Sequence, residues 1–103
     1  MWLIKIIARV SFVPGRFKLH HDMRIKVKFF SSFGNLVGTN EAEMELSDGA
    51  TLAQVMEEVL QRYPQLRQFR KYMVLSVNNR VAEVGIRVRE GDVIGIMPPL
   101  GGG

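Results

Sequence analysis

The 103-residue sequence contains no cysteine. That absence excludes a disulfide framework, a thiolate zinc site, a cysteine-held iron–sulfur cluster and a cysteine nucleophile. Whatever group this chain carries, it does not carry it on a thiol. Histidine is almost as scarce: the two present, His20 and His21, are adjacent. Neighbours in regular structure point apart, so the pair makes a poor metal site and no metal ligand is assigned. No apolar run approaches the ~20 residues of a membrane span. The opening MWLIKIIARVSFVPG lacks the charged leader of a secretory signal, and Lys5 and Arg9 interrupt its apolar stretch. A cytoplasmic protein with no membrane partner is expected.

A strong excess of one charge is missing where it would matter. The net charge is +4, but residues 1–22 alone contribute +3 through Lys5, Arg9, Arg16 and Lys18 against Asp22. The remainder is close to neutral, with no basic stripe interleaved with aromatics, so no nucleic-acid partner is expected. What is present fits one folded domain: 47% apolar and 23% charged residues in a length that supports a single core.

Met23 opens a segment that reads as that domain, residues 23–97. From Arg24 to Phe29 the residues alternate, with Ile25, Val27 and Phe29 on one face and Arg24, Lys26 and Lys28 on the other. This is the pattern of a half-buried strand. A polar, glycine-containing connection follows, interrupted by Phe33, Leu36 and Val37. A second strand then places Ala42, Met44 and Leu46 inward and Glu41, Glu43 and Glu45 outward, where they would face the basic side of the first.

Asp48-Gly49 marks a turn. Thr51, with Gln54 three residues on, has the form of a capping box. Leu52, Val55, Met56, Val59, Leu60 and Tyr63 then follow helical spacing until Pro64 stops the helix. Residues 65–72 form a basic connection with room for a short helix. Val74 to Val77 reads as a strand, Asn78-Asn79-Arg80 as a turn, and Val81 to Glu83 as a short strand. Glu90-Gly91-Asp92 turns into the last strand, Val93 to Met97. Hairpin, helix and returning strands make an α+β arrangement, a mixed sheet gripping one main helix in the β-grasp manner. Residues 1–22 read as a non-native or flexible N-terminal extension, with an edge strand or amphipathic helix around Trp2 to Val10 as the alternative.

The chemistry is concentrated at the other end. Pro98-Pro99 stiffens the exit from the last strand, and Leu100-Gly101-Gly102-Gly103 follows. Residues 98–103 span about 20 Å if extended, at about 3.3 Å per residue. Glycines lack a Cβ, so such a tail passes through a narrow channel. A terminal carboxylate becomes electrophilic when converted to a mixed anhydride with AMP. Sulfur that displaces the AMP leaves a thiocarboxylate, a good nucleophile that needs no cysteine on its carrier.

These residues resemble the small, sulfur-carrying subunit of molybdopterin synthase, a ubiquitin-like protein family. The landmarks are Ile25-Lys26-Val27-Lys28-Phe29-Phe30, Leu36-Val37-Gly38, Thr51-Leu52, Val77-Asn78-Asn79, Glu90-Gly91-Asp92-Val93 and Pro98-Pro99 before the glycines. The resemblance implies that Gly103 is the reacting residue, with Pro98, Pro99, Leu100, Gly101 and Gly102 held by partners. It implies three partners: a ubiquitin-activating-like adenylating enzyme that uses ATP, a sulfurtransferase, and the large catalytic subunit of the synthase. The chain itself would be a co-substrate and not an enzyme, with no bound cofactor. Phe30, Phe33, Ile96 and Met97 are candidate docking residues on the sheet near the tail, each also readable as core. Three alternatives remain open at this level: a protein modifier joined through Gly103, a sulfur carrier for thiamine or tRNA thiolation, and a binding module with an inert tail.

Overall fold

Strand β1 (Asp22–Phe29) buries Met23, Ile25, Val27 and Phe29 and turns the residues between them to the opposite face. The computed structural model describes residues 22–99; the expectations for residues 1–21 lie outside the described residues. β1 begins at Asp22, two residues before the alternation starting at Arg24, because Asp22 and Met23 pair with Ser47 and Leu46.

Its antiparallel partner β2 (Glu41–Ser47) sets Glu45, Glu43 and Glu41 opposite Arg24, Lys26 and Lys28. Arg24 and Glu45 approach to 3.6 Å, and Lys26 reaches diagonally to Glu41 at 3.4 Å. Both pairs are substantially exposed, so each adds little to stability. Their effect is on register: a one-residue slip would turn every charge inward.

The segment between β1 and β2 is not the open connection its composition suggests. Ser32–Val37 forms a helical turn, α1, closed by Gly38 in the left-handed conformation (φ 89°). It enters without a side-chain cap, and Ser31 has φ 53°. At six residues it is too short to display a helical period. What holds it is tertiary: Phe33 is buried against the core, with its ring 5.2 Å from that of Phe69.

The main helix, α2 (Leu52–Arg62), starts at Thr51 with both halves of the capping box present. The Thr51 hydroxyl accepts from the Gln54 N–H at 3.3 Å, and the Gln54 side chain accepts from the Thr51 N–H at 2.8 Å. The next two N–H groups, of Leu52 and Ala53, donate to the carbonyls of Ile86 and Val84, both at 2.8 Å. The returning loop therefore seals the helix N-terminus. Leu52, Val55, Met56, Val59 and Leu60 are all buried, and Tyr63 packs edge-on to Phe29 at 5.1 Å. Pro64 then starts a 3-10 helix (Pro64–Phe69) that buries Leu66.

β3 (Val74–Val77) and β4 (Arg80–Val81) form a hairpin around Asn78 and Asn79, both at positive φ, as a tight two-residue turn requires. The short strand expected around Val81 to Glu83 thus begins one residue earlier and ends at Val81, because Arg80 pairs with Val77. β5 (Val93–Met97) lies at the centre of the sheet, whose order is β2-β1-β5-β3-β4. It is parallel to β1 and antiparallel to β3. This is the mixed α+β sheet gripping one main helix.

Two landmarks of the sequence have a structural explanation. The Asn78 side chain donates to Asp92 Oδ1 at 3.0 Å and accepts from the Val93 N–H at 2.9 Å, while the Arg89 N–H donates to Asp92 Oδ2 at 2.8 Å. The Asn78–Asp92 contact thus ties the β3–β4 turn to the entry of β5. Asn78→Ala should lower unfolding stability by about 1–2 kcal/mol, from lost hydrogen bonds and the left-handed backbone. A urea denaturation midpoint unchanged from wild type would contradict this.

Candidate functional site

The tail leaves the body at the end of β5. Alternation along that strand sends Ile94 and Ile96 into the core under α2 and leaves Val93, Gly95 and Met97 on the other face. Pairing with β1 continues one step beyond the strand, since the Phe30 N–H donates to the Ile96 carbonyl at 3.0 Å. Pro98 and Pro99 have no N–H to offer a ladder, so the sheet stops there. Both prolines are half-buried. Leu100, Gly101, Gly102 and Gly103 lie outside the described residues.

The face of the sheet turned away from α2 has two parts. On β1 and β2 it is charged, carrying the lysine–glutamate rows. Toward the tail it is apolar. Gly95 lies directly between Lys28 on β1 and Ser76 on β3 in register. A Cβ on Gly95 would collide with Ser76 Oγ and come within 2.9 Å of the Phe30 ring. The absence of a side chain at Gly95 therefore makes room for the edge of the Phe30 ring. Phe30 remains 39% exposed. Met97 pairs with Val74, and both are half-buried beside it.

The four candidate docking residues therefore divide. Phe30 and Met97 reach the surface near the tail. Ile96 is 0% exposed and Phe33 1%; both side chains belong to the core, the second of the two readings the sequence left open for them. Ile96 follows Ile94 to the helix-facing side, and Phe33 is drawn inward by α1. Val74 joins the apolar surface in their place. Its signal in the sequence was its pairing partner, which an isolated strand does not identify.

A second feature adjoins the tail exit. Between α1, the 3-10 helix and the two prolines lies a groove of about 460 Å³. Phe33, Leu36, Phe69, Pro98 and Pro99 form its apolar walls, and Ser32 and Asn35 its polar rim. Among the described residues no charged side chain lines it. Among the described residues no group of three His, Cys, Asp or Glu is placed to hold a metal ion, and no helix is long and apolar enough to cross a membrane.

Among the described residues, a five-stranded mixed sheet with β5 parallel to β1 at its centre, gripping one main helix, defines a ubiquitin-like β-grasp protein. The family follows from comparison. The ThiS family model matches residues 27–103, and the chain belongs to that family. It is 31% identical over 83 residues to a Chlamydomonas reinhardtii protein named molybdopterin synthase sulfur carrier subunit, covering 79% of this chain and all of that one. Among solved structures, molybdopterin converting factor subunit 1 of Pyrococcus furiosus superposes with a TM-score of 0.69 at 29% identity, over 76% of this chain and 99% of that one. A complex of subunits 1 and 2 of molybdopterin-converting factor from Helicobacter pylori shares the fold, with a TM-score of 0.57 at 21% identity, over 79% of this chain and all of the matched one.

The contact between Phe30 and Gly95 is testable by a double-mutant cycle. Gly95→Ala alone should destabilise by about 1–3 kcal/mol through overpacking. With Phe30→Ala present the same change should cost measurably less, since the ring that a new Cβ meets is gone. Strict additivity of the two substitutions in chemical denaturation would show that the ring does not rest on Gly95.

Proposed function

We propose that this chain is a sulfur carrier for molybdopterin synthesis, a co-substrate whose reacting group is the carboxyl of Gly103. The observation that carries the reading is the central placement of β5, which leads directly into Pro98-Pro99, followed in the sequence by Leu100 and three glycines. The name of the Chlamydomonas relative, a sulfur carrier subunit matched along its full length, supports it.

The chemistry follows from the tail. An adenylating enzyme of the ubiquitin-activating type joins the Gly103 carboxylate to AMP and releases pyrophosphate from ATP. Adenylation replaces a charged, resonance-stabilised group by an anhydride with a good leaving group. A sulfurtransferase supplies sulfur at the hydrosulfide level, which attacks the acyl carbon and expels AMP. The product, –CO–S⁻, is carried to the large subunit of the synthase, where the sulfur passes to a pterin precursor. No side chain of the carrier takes part in these bond changes. ATP is consumed by the activating partner, and the carrier needs no resident cofactor.

The body contributes position. β5 is hydrogen-bonded on both sides, so the root of the tail is fixed; the residues from Pro98 to Gly103 could reach at most about 20 Å from it. Phe30, Met97 and Val74 provide an apolar surface beside that root. A partner that engages the tail meets this surface at the same time, gaining main-chain hydrogen bonds along the glycines at little side-chain cost.

The test is to incubate the full chain with ATP, the adenylating enzyme and a sulfur donor, and to weigh it intact. The expected product is a free chain heavier by the exchange of one oxygen for sulfur. Conjugates that survive reducing denaturation, with no such free species, would assign the chain to protein modification instead. A single residue appended after Gly103 should abolish the exchange without altering the fold, and retained exchange in that variant would overturn the proposal.

A further inference from the structure

Building on the carrier reading above, we propose that the groove at the root of the tail is a specificity pocket, in which the enzyme that adenylates Gly103 seats an uncharged apolar side chain. The groove is built, not incidental. α1 holds Phe33 at its inner wall against Phe69, and Leu36 stands at the mouth, 39% exposed. The opposite wall is Pro98 and Pro99, the first two residues of the tail itself.

The reach of the tail sets how close the occupant must come. Four residues follow Pro99, and they span about 13 Å at most. The enzyme's reacting atoms therefore lie within that distance of the groove wall. An active site that excludes water around an acyl-adenylate has protein on every side of the bound tail. Protein that surrounds the glycines at that distance also passes over Pro98 and Pro99, and so over the groove they wall.

The lining specifies what that protein presents there. Five apolar walls and a rim of Ser32 and Asn35 offer no counter-charge. Seating a charged group would cost its desolvation without return. A branched or aromatic apolar side chain fits a volume of about 460 Å³ and gains by burial. The salt-linked rows on β1 and β2 lie on the other face of the sheet and remain free for different contacts.

The experiment measures ATP-dependent pyrophosphate release by the adenylating enzyme as a function of carrier concentration. Leu36→Asp should raise the KM for the carrier by about tenfold or more, with kcat within about twofold of wild type. Leu36→Met should retain the wild-type KM. Val81→Asp should leave it unchanged, because Val81 is 77% exposed on β4, two strands from the tail exit. Circular dichroism and thermal unfolding of each variant establish that the fold is kept. An unchanged KM for a folded Leu36→Asp variant overturns the groove proposal alone. Wild-type chain that elicits no pyrophosphate release overturns the carrier reading and the groove with it. Concentration-dependent dimerisation of wild type that Leu36→Asp abolishes would assign the groove to a second copy of this chain and overturn its assignment to the enzyme.

Discussion

The parallel pairing of β1 with β5 is the constraint on which the rest of the molecule depends. Lys26, Val27, Lys28 and Phe29 lie opposite Val93, Ile94, Gly95 and Ile96. The ladder is extended at both ends, by the Lys26 N–H on the Asp92 carbonyl and the Phe30 N–H on the Ile96 carbonyl, each at 3.0 Å. Parallel strands cannot be joined by a tight turn, so the whole of the chain between them, including α2, is the crossover. Beneath the pair, Val27, Ile94 and Ile96 are buried against the α2 face that carries Leu52, Val55 and Val59. Helix and central strands therefore stabilise each other, and the last strand is held from both sides before the tail begins.

That arrangement separates the work of the body from the work of the tail. A reacting group on a side chain would have to be brought to each enzyme by docking the whole domain around it. In the proposed role, a group at the end of a thin backbone is instead threaded into the enzyme. The body then needs only a fixed exit and surfaces that partners recognise. Both are built from small local devices: Gly95 makes room for Phe30, Met97 pairs with Val74, and two prolines end the ladder. The chain has no cysteine, and the proposed use of the carboxyl terminus to carry sulfur needs none.

Much of the fold was legible in the residues. The period-2 alternation of β1 and β2, the capping box of Thr51 and Gln54, and the stop at Pro64 each have a local physical cause that survives in the folded chain. The Asn78-Asn79 turn and the Glu90-Gly91-Asp92 turn were legible as turns, though not the side-chain contacts that join them. α1 was not legible. It lacks an N-terminal side-chain cap, spans six residues, and is held by Phe33 packing on Phe69, distant in sequence. The site shows the same division. Alternation along β5 placed Ile96 and Met97 on opposite faces but did not say which face α2 covers. The groove beside the tail depends on three separate segments meeting, which no single stretch of sequence encodes.

Fragmentation of the sulfur-loaded chain in the mass spectrometer tests most directly whether the proposed chemistry takes place at the Gly103 carbonyl. The oxygen-for-sulfur difference is expected only in fragments that retain Gly103, with every fragment ending at or before Pro99 unchanged. Sulfur found on an internal residue, or lost with no fragment at the terminus carrying it, would contradict the account.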